Sequence, residues 1–113
     1  MSRPQIDVLT FAGCPHARAA LALVERIVSE LELEASIRRI DVTSLEQAEA
    51  QRFLGSPTIR VNGSDIEPGA GKRTGYTLAC RIYGTAAGVR GEPAEDWLRQ
   101  ALLRTTRLAG YPG

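Results

Sequence analysis

The residues of this chain best suited to nucleophilic or metal chemistry are few: two cysteines and one histidine among 113 residues, with one cysteine and the histidine inside Cys14-Pro15-His16. A cysteine between a strand end and an amphipathic run sits where unpaired backbone amides and the helix dipole favour an anion, the form in which sulfur is a nucleophile. Pro15 suits a first helical turn, because its missing N–H would have had no intrahelical partner there. His16 adds a nearby group able to donate to a thiolate or help stabilise it. Together they predict a reactive thiol, Cys14, at a helix start; the plainer alternative is an inert, small apolar side chain at the helix end.

Cys80 stands far off in sequence. On an alternating strand it reads first as a core cysteine, since free cysteine is among the most buried residue types, with a distant resolving role toward Cys14 as the alternative. One histidine, two cysteines and no Cys-x-x-Cys pair give a four-ligand zinc site little support, and no metal is expected there. A soft metal held by Cys14 and Cys80 is a further reading. Gly69-Ala70-Gly71-Lys72-Arg73-Thr74 matches a phosphate-binding loop only in part, because Ile66 stands where the first glycine belongs and Arg73 replaces the Ser/Thr. Lys72 and Arg73 are read as solvated loop charges.

These residues need elements to position them. Ile6, Val8, Leu9 and Phe11, stopped by Gly13, predict a first strand. From Pro15 to about Leu31 the positions Ala17, Leu21, Val24, Ile27, Val28 and Leu31 recur at helical spacing between charged residues, which predicts an amphipathic helix. Ile37 to Val42 reads as a second strand, with Arg38 and Arg39 partly exposed. Thr43 with Glu46, or Ser44 with Gln47, offers a capping box for a helix on which Leu45, Ala48, Phe53 and Leu54 line one side before Gly55. Thr58 to Val61 is a short third strand, entered through Ser56-Pro57 and left at Asn62-Gly63.

The glycine-rich stretch Glu67 to Gly75 predicts a mobile loop. Tyr76 to Tyr83 predicts a fourth strand, with Tyr76, Leu78, Cys80 and Ile82 on one face and Thr77, Ala79, Arg81 and Tyr83 on the other. Pro93 opens a last helix whose inward stripe is Trp97, Leu98, Ala101, Leu102 and Thr105. The end of the chain, residues 109–113, is expected to fray, and Tyr111 within it has no assignable role. The order argues for an α/β fold: a central mixed four-stranded sheet flanked by helices.

Length and composition bound the rest. The chain has the size of one domain, 1–113, able to bury roughly two thirds of its unfolded surface. With 43% hydrophobic and 24% charged residues and a formal net charge of +1, it carries no strong field for nucleic acid or an anionic membrane, so neither is an expected partner. No apolar run approaches the roughly 20 residues needed to span a bilayer. Met1 to Phe11 lacks the apolar core of a signal peptide, so a cytoplasmic location is the default expectation. In that compartment both cysteines rest as thiols.

Phe11-Ala12-Gly13-Cys14-Pro15-His16-Ala17 resembles the active-site segment of the thioredoxin superfamily, where a strand meets a helix. The Cys14-Pro15-His16 start is similar to that of disulfide oxidases of the DsbA type, although Ala17 stands where the second motif cysteine would be. Gly55-Ser56-Pro57-Thr58-Ile59 resembles the family's cis-proline segment, which faces the active-site cysteine. The resemblance covers roughly Ile6 to Val61. It implies a thioredoxin-like fold and thiol-disulfide exchange, with Cys14, His16 and Pro57 as the catalytic set and Pro15, Ser56 and Thr58 as binding residues.

A dithiol enzyme releases its mixed disulfide when the second motif cysteine attacks, so Ala17 forces this chain to use another thiol. Glutathione as co-substrate, as in monothiol glutaredoxins, or Cys80 fills that place. The partner is then a protein or a low-molecular-weight thiol or disulfide. Two readings of other classes remain: a non-catalytic thioredoxin-fold binding module that kept only the groove beside Pro57, and a soft-metal or organomercurial thiol protein.

Overall fold

The computed structural model describes residues 3–108. Its centre is strand β1 (Gln5–Thr10), in which Ile6, Val8 and Leu9 are almost wholly removed from water. Burial of consecutive residues means that both faces of the strand are covered. β1 pairs in parallel with β2 (Ser36–Asp41) and antiparallel with β3 (Thr58–Val61), and β3 pairs with the two-residue β4 (Ser64–Asp65). The sheet order β2-β1-β3-β4 is therefore mixed and four-stranded. A parallel neighbour requires a crossover, and helix α1 (Ala17–Glu30) supplies it. Asn62 and Gly63, both at positive φ, make the tight turn between β3 and β4.

Two helices cover one face of the sheet. Ala20, Leu23, Val24 and Ile27 of α1 recur at helical spacing and are buried, as are Leu98, Ala101 and Leu102 of α3 (Glu95–Leu108). They form one core with Ile6, Val8, Ile59, Val61 and Ile66. A second cluster, Leu9, Val42, Ala48 and Phe53, is built around α2 (Leu45–Ala50). Of the two capping pairs read from the sequence, Ser44 with Gln47 caps α2, Ser44 Oγ accepting from the Gln47 amide at 3.1 Å; Thr43 bonds Gln47 rather than Glu46, its amide donating to Gln47 Oε1 at 2.8 Å. None of the described helices is long and apolar enough to cross a membrane.

Several boundaries differ from expectation, each for a local reason. Helix α1 starts at Ala17 rather than Pro15, with His16 as an N-cap residue that makes no side-chain capping bond. Cys14-Pro15-His16 forms the turn before it, and the Cys14 carbonyl accepts from the Ala17 amide at 3.3 Å. Helix α2 stops at Ala50 because Arg52 adopts a positive φ of 54°; Phe53 and Leu54 are buried after the helix, while Leu45 is exposed. Strand β2 lies at the edge of the sheet, so Ile37 is left exposed instead of serving a buried face.

The fourth strand is Ser64–Asp65, not Tyr76–Tyr83. The latter segment makes one isolated bridge, Ser56 to Cys80, and its last residue begins a separate hairpin of β5 (Tyr83–Thr85) and β6 (Gly88–Arg90). Its alternation survives with the faces reversed: Arg81 and Tyr83 are buried, and Cys80 and Ile82 are exposed. The glycine-rich loop carries a 3-10 turn, Ala70–Lys72, with Ala70 buried and Arg73 bonded to Glu67 at 2.8 Å. Arg73, read from the sequence as a solvated loop charge, is thus ion-paired. The tail expectation for residues 109–113, Tyr111 included, falls outside the described residues.

Helices α1 and α3 are also joined by charge. Arg99 donates to Glu30 at 2.6 Å and to Glu95 at 3.0 Å, and Arg26 donates to Glu95 at 2.6 Å. Hydrogen bonds from Arg99 and Arg26 hold the Glu30 and Glu95 carboxyls below their ordinary values. A carboxyl depressed in the folded state stabilises above its unfolded pKa, and that stabilisation is lost as pH falls through the depressed value. Thermal unfolding followed from pH 7 to pH 3 should therefore show an acid-side loss that Arg99→Gln reduces. Leu98→Ala, which opens a cavity at a fully buried site, should cost about 2–5 kcal/mol in urea unfolding, against less than about 1 kcal/mol for Leu103→Ala on the exposed face.

Candidate functional site

The loop that carries Cys14 begins where β1 ends. Phe11 donates its amide to Ser56 Oγ at 3.4 Å, and the Cys14 amide closes a turn on the Phe11 carbonyl at 3.2 Å. These bonds hold the loop against the segment that enters β3. Cys14 is partly exposed and free of any disulfide. With Thr10, Ala17, Leu21, Arg18 and Arg39 it lines a shallow cleft of about 320 Å³. Arg18 and Arg39 are exposed, and neither makes an ion pair among the described residues.

His16 faces elsewhere than its place in the motif suggests. Its Nδ1 pairs with the Glu92 carboxylate, and its ring lies flush against Gly91, where an added Cβ would fall 2.5 Å from Nε2. The imidazole thus ties the start of α1 to the approach of α3. Pro15 is exposed in the turn that precedes α1.

The peptide bond Ser56–Pro57 is cis. Ser56 and Thr58, the binding residues that the resemblance implies, are fully buried, and Pro57 is buried with them. Their polar atoms are engaged within the chain. Ser56 Oγ holds Phe11, while Thr58 Oγ1 donates to the Gly55 carbonyl at 2.6 Å and accepts from Arg81 at 2.9 Å. The Ser56 backbone is occupied as well, donating to the Ala79 carbonyl and accepting from the Arg81 amide, both at 2.9 Å. Gly55 permits this approach: its φ is +123°, and a Cβ there would lie 2.9 Å from Arg81 Cβ.

What anchors the crossing segment is Arg81, whose side chain is 1% exposed. Its guanidinium donates to Asp65 at 2.7 Å, to Glu67 at 2.6 Å and to Thr58, and it lies 4.5 Å from the centre of the Tyr83 ring. Burial lowers the Arg81 pKa, but the hydrogen bond to Asp65, the charge interactions with the Tyr83 phenol group and Asp65, and the bond to Glu67 outweigh it and hold it above its ordinary value. Burial pushes the Tyr83 phenol well up, and its hydroxyl donates to the Pro57 carbonyl. The sequence offered one signal for this cluster, an arginine and a tyrosine alternating on one face of an expected strand. Nothing marked Asp65 and Glu67 as their partners.

The structure therefore brings three of the sequence candidates to one place. The Cys14 loop, Ser56 next to Pro57, and the Cys80 segment are linked through Ser56. Cys80 is exposed at this crossing rather than buried in the core, because its neighbour Arg81 takes the inward position where the carboxylates lie. Among the described residues no group of three or more His, Cys, Asp or Glu side chains gathers to hold a metal ion.

A mixed four-stranded sheet flanked by helices, with a cysteine loop set against a cis-proline segment, defines a thioredoxin-like α/β protein. A curated protein named thioredoxin, from Methanocaldococcus jannaschii, is 34% identical to this chain over 68 residues, a match covering 59% of this chain and 79% of the relative. The chain belongs to the thioredoxin family. No family model matches it, and no solved structure does.

Removing Arg81 tests how the site is held. Arg81→Met leaves Asp65 and Glu67 without their buried cation, and a cost of about 3–5 kcal/mol in urea unfolding is expected. A cost near that of an exposed ion pair, under about 1 kcal/mol, would show that the cluster does not anchor the segment.

Proposed function

We propose that the protein catalyses thiol-disulfide exchange through Cys14, acting on a low-molecular-weight disulfide that carries carboxylates, with glutathione disulfide as the model. The observation that supports this best is the position of Cys14, partly exposed in a cleft between two unpaired guanidiniums, Arg18 and Arg39. The Cys14 thiolate attacks one sulfur of the disulfide; that S–S bond breaks, one thiolate leaves, and Cys14 carries the other half as a mixed disulfide. Arg18 and Arg39 steer and hold the substrate carboxylates. Pro57 and Ser56 act as the fixed floor of the loop rather than as a groove. His16, tied to Glu92, positions the helix start beside the thiol.

A non-catalytic module that captures extended peptides beside Pro57 has less support, because both backbone hydrogen-bonding groups of Ser56 are already engaged by Ala79 and Arg81. The fold, the family and the cleft favour small-thiol chemistry at a location where thiols stay reduced, the cytoplasm being the compartment that suits it.

Mass spectrometry of the reduced protein exposed to glutathione disulfide should find the first glutathione adduct on Cys14. In Cys14→Ser the transfer rate should drop to the uncatalysed background with the circular dichroism spectrum retained. Transfer at the unaltered rate in Cys14→Ser would refute the assignment. Arg39→Glu should raise the glutathione disulfide concentration needed for half-maximal rate by about 3-fold to 10-fold, and 0.5 M salt should narrow that difference.

A further inference from the structure

A mixed disulfide on Cys14 has to be released by a second thiol, and Ala17 cannot provide it. We propose that Cys80 is this resolving thiol and that the protein cycles through an internal Cys14–Cys80 disulfide. The proposal rests on the reading of Cys14 as the nucleophile.

Three observations carry it. The first is that Ser56 joins the two cysteine segments. Its side-chain oxygen receives the amide of Phe11, which opens the Cys14 loop, and its backbone amide and carbonyl bond to Ala79 and Arg81 on either side of Cys80. Ser56 and Cys80 are thus partners in a parallel bridge.

The second concerns direction. Bridge partners project their side chains to the same side of the ladder, and neighbours along an extended segment project to opposite sides. Ser56 Oγ reaches toward the Cys14 loop, so Cys80 projects toward that side too. Arg81, the next residue, points the other way, into Asp65 and Glu67, and Gly55 faces Arg81. The buried ion cluster thereby turns Cys80 outward, on the flank of the ladder that carries Cys14.

The third is availability. Both cysteines are unpaired, Cys14 partly exposed and Cys80 exposed, so neither has to leave a packed core to react. The segment around Cys80 is also flanked by exposed apolar side chains, Leu78 and Ile82, that hold no core position.

The chemistry balances with a disulfide R–S–S–R as oxidant. Attack by Cys14 gives Cys14–S–S–R and one RS⁻. The Cys80 thiolate then attacks the Cys14 sulfur, the Cys14–R bond breaks, and a second RS⁻ leaves. The product is Cys14–S–S–Cys80, with both cysteine protons released to solvent, and an external dithiol returns it to the two free thiols. Each turnover passes two electrons from the protein to the disulfide.

The test uses the full chain and glutathione disulfide. Wild type should release two glutathione thiols per chain and yield, after non-reducing digestion, a peptide pair linking Cys14 to Cys80. Cys80→Ser should release one and accumulate the Cys14–glutathione adduct; serine at this exposed position leaves the core intact. A wild type that also stops at the Cys14 adduct, with no linked peptides, overturns the resolving role and leaves Cys14 as the nucleophile. Absence of any Cys14 adduct in Cys80→Ser, and of linked peptides in wild type, overturns both.

Discussion

A guanidinium held almost entirely out of water needs several oxygens to offset the loss of its hydration, and Arg81 finds them on three separate parts of the chain. Asp65 comes from the end of β4, Glu67 from the loop beyond it, and Thr58 from the start of β3. Tyr83 covers the cation with its ring and returns its hydroxyl to Pro57. Because each of these groups depends on the others for its partners, the four segments are fixed together. The Ser56 backbone bonds, the exposure of Cys80 and the placement of the Phe11–Ala17 loop all follow from that arrangement. An anchor of this kind is costly to break and directional, qualities that an apolar patch of equal area would lack.

Much of the frame could be read from residue order. Apolar residues at strand and helix spacing located β1, α1, β3 and α3, and the Asn62-Gly63 pair located the turn after β3. These elements bury their apolar faces in the simplest way, so pattern and structure agree. The Cys14-Pro15-His16 and Ser56-Pro57-Thr58 segments stood out through a resemblance to the thioredoxin superfamily, and in the structure Ser56 Oγ receives the amide of Phe11 at the start of the Cys14 loop. What the pattern could not supply was the inward face of Tyr76–Tyr83. Hydrophobicity alone puts Leu78, Cys80 and Ile82 inside; the structure puts Arg81 and Tyr83 there, because two carboxylates and a carbonyl remote in sequence satisfy their polar atoms.

The orientation of His16 was illegible for a similar reason. Proximity in sequence links it to Cys14, yet Glu92 and the bare backbone of Gly91 form a niche that the imidazole fills. Helix α1 then begins without a side-chain cap, its Ala17 amide taken instead by the Cys14 carbonyl of the thiol loop. A serine or aspartate at position 16 could cap the helix with its own side chain; the histidine is committed to Glu92 instead.

Strand β2 has a consequence for how copies of this chain meet. Its outer edge has no partner among the described residues, and at the opposite edge β4 is only two residues long. An open, extended edge invites a neighbouring chain to add a strand. On β2 that invitation carries Arg38 and Arg39 in succession, both exposed, with Arg38 steadied by Asp7 at 3.1 Å across the register. Two such edges aligned side by side would bring like charges together at strand spacing. The sheet therefore ends in positive charge on one flank and in too few residues on the other, and growth into a larger β-assembly is disfavoured at both.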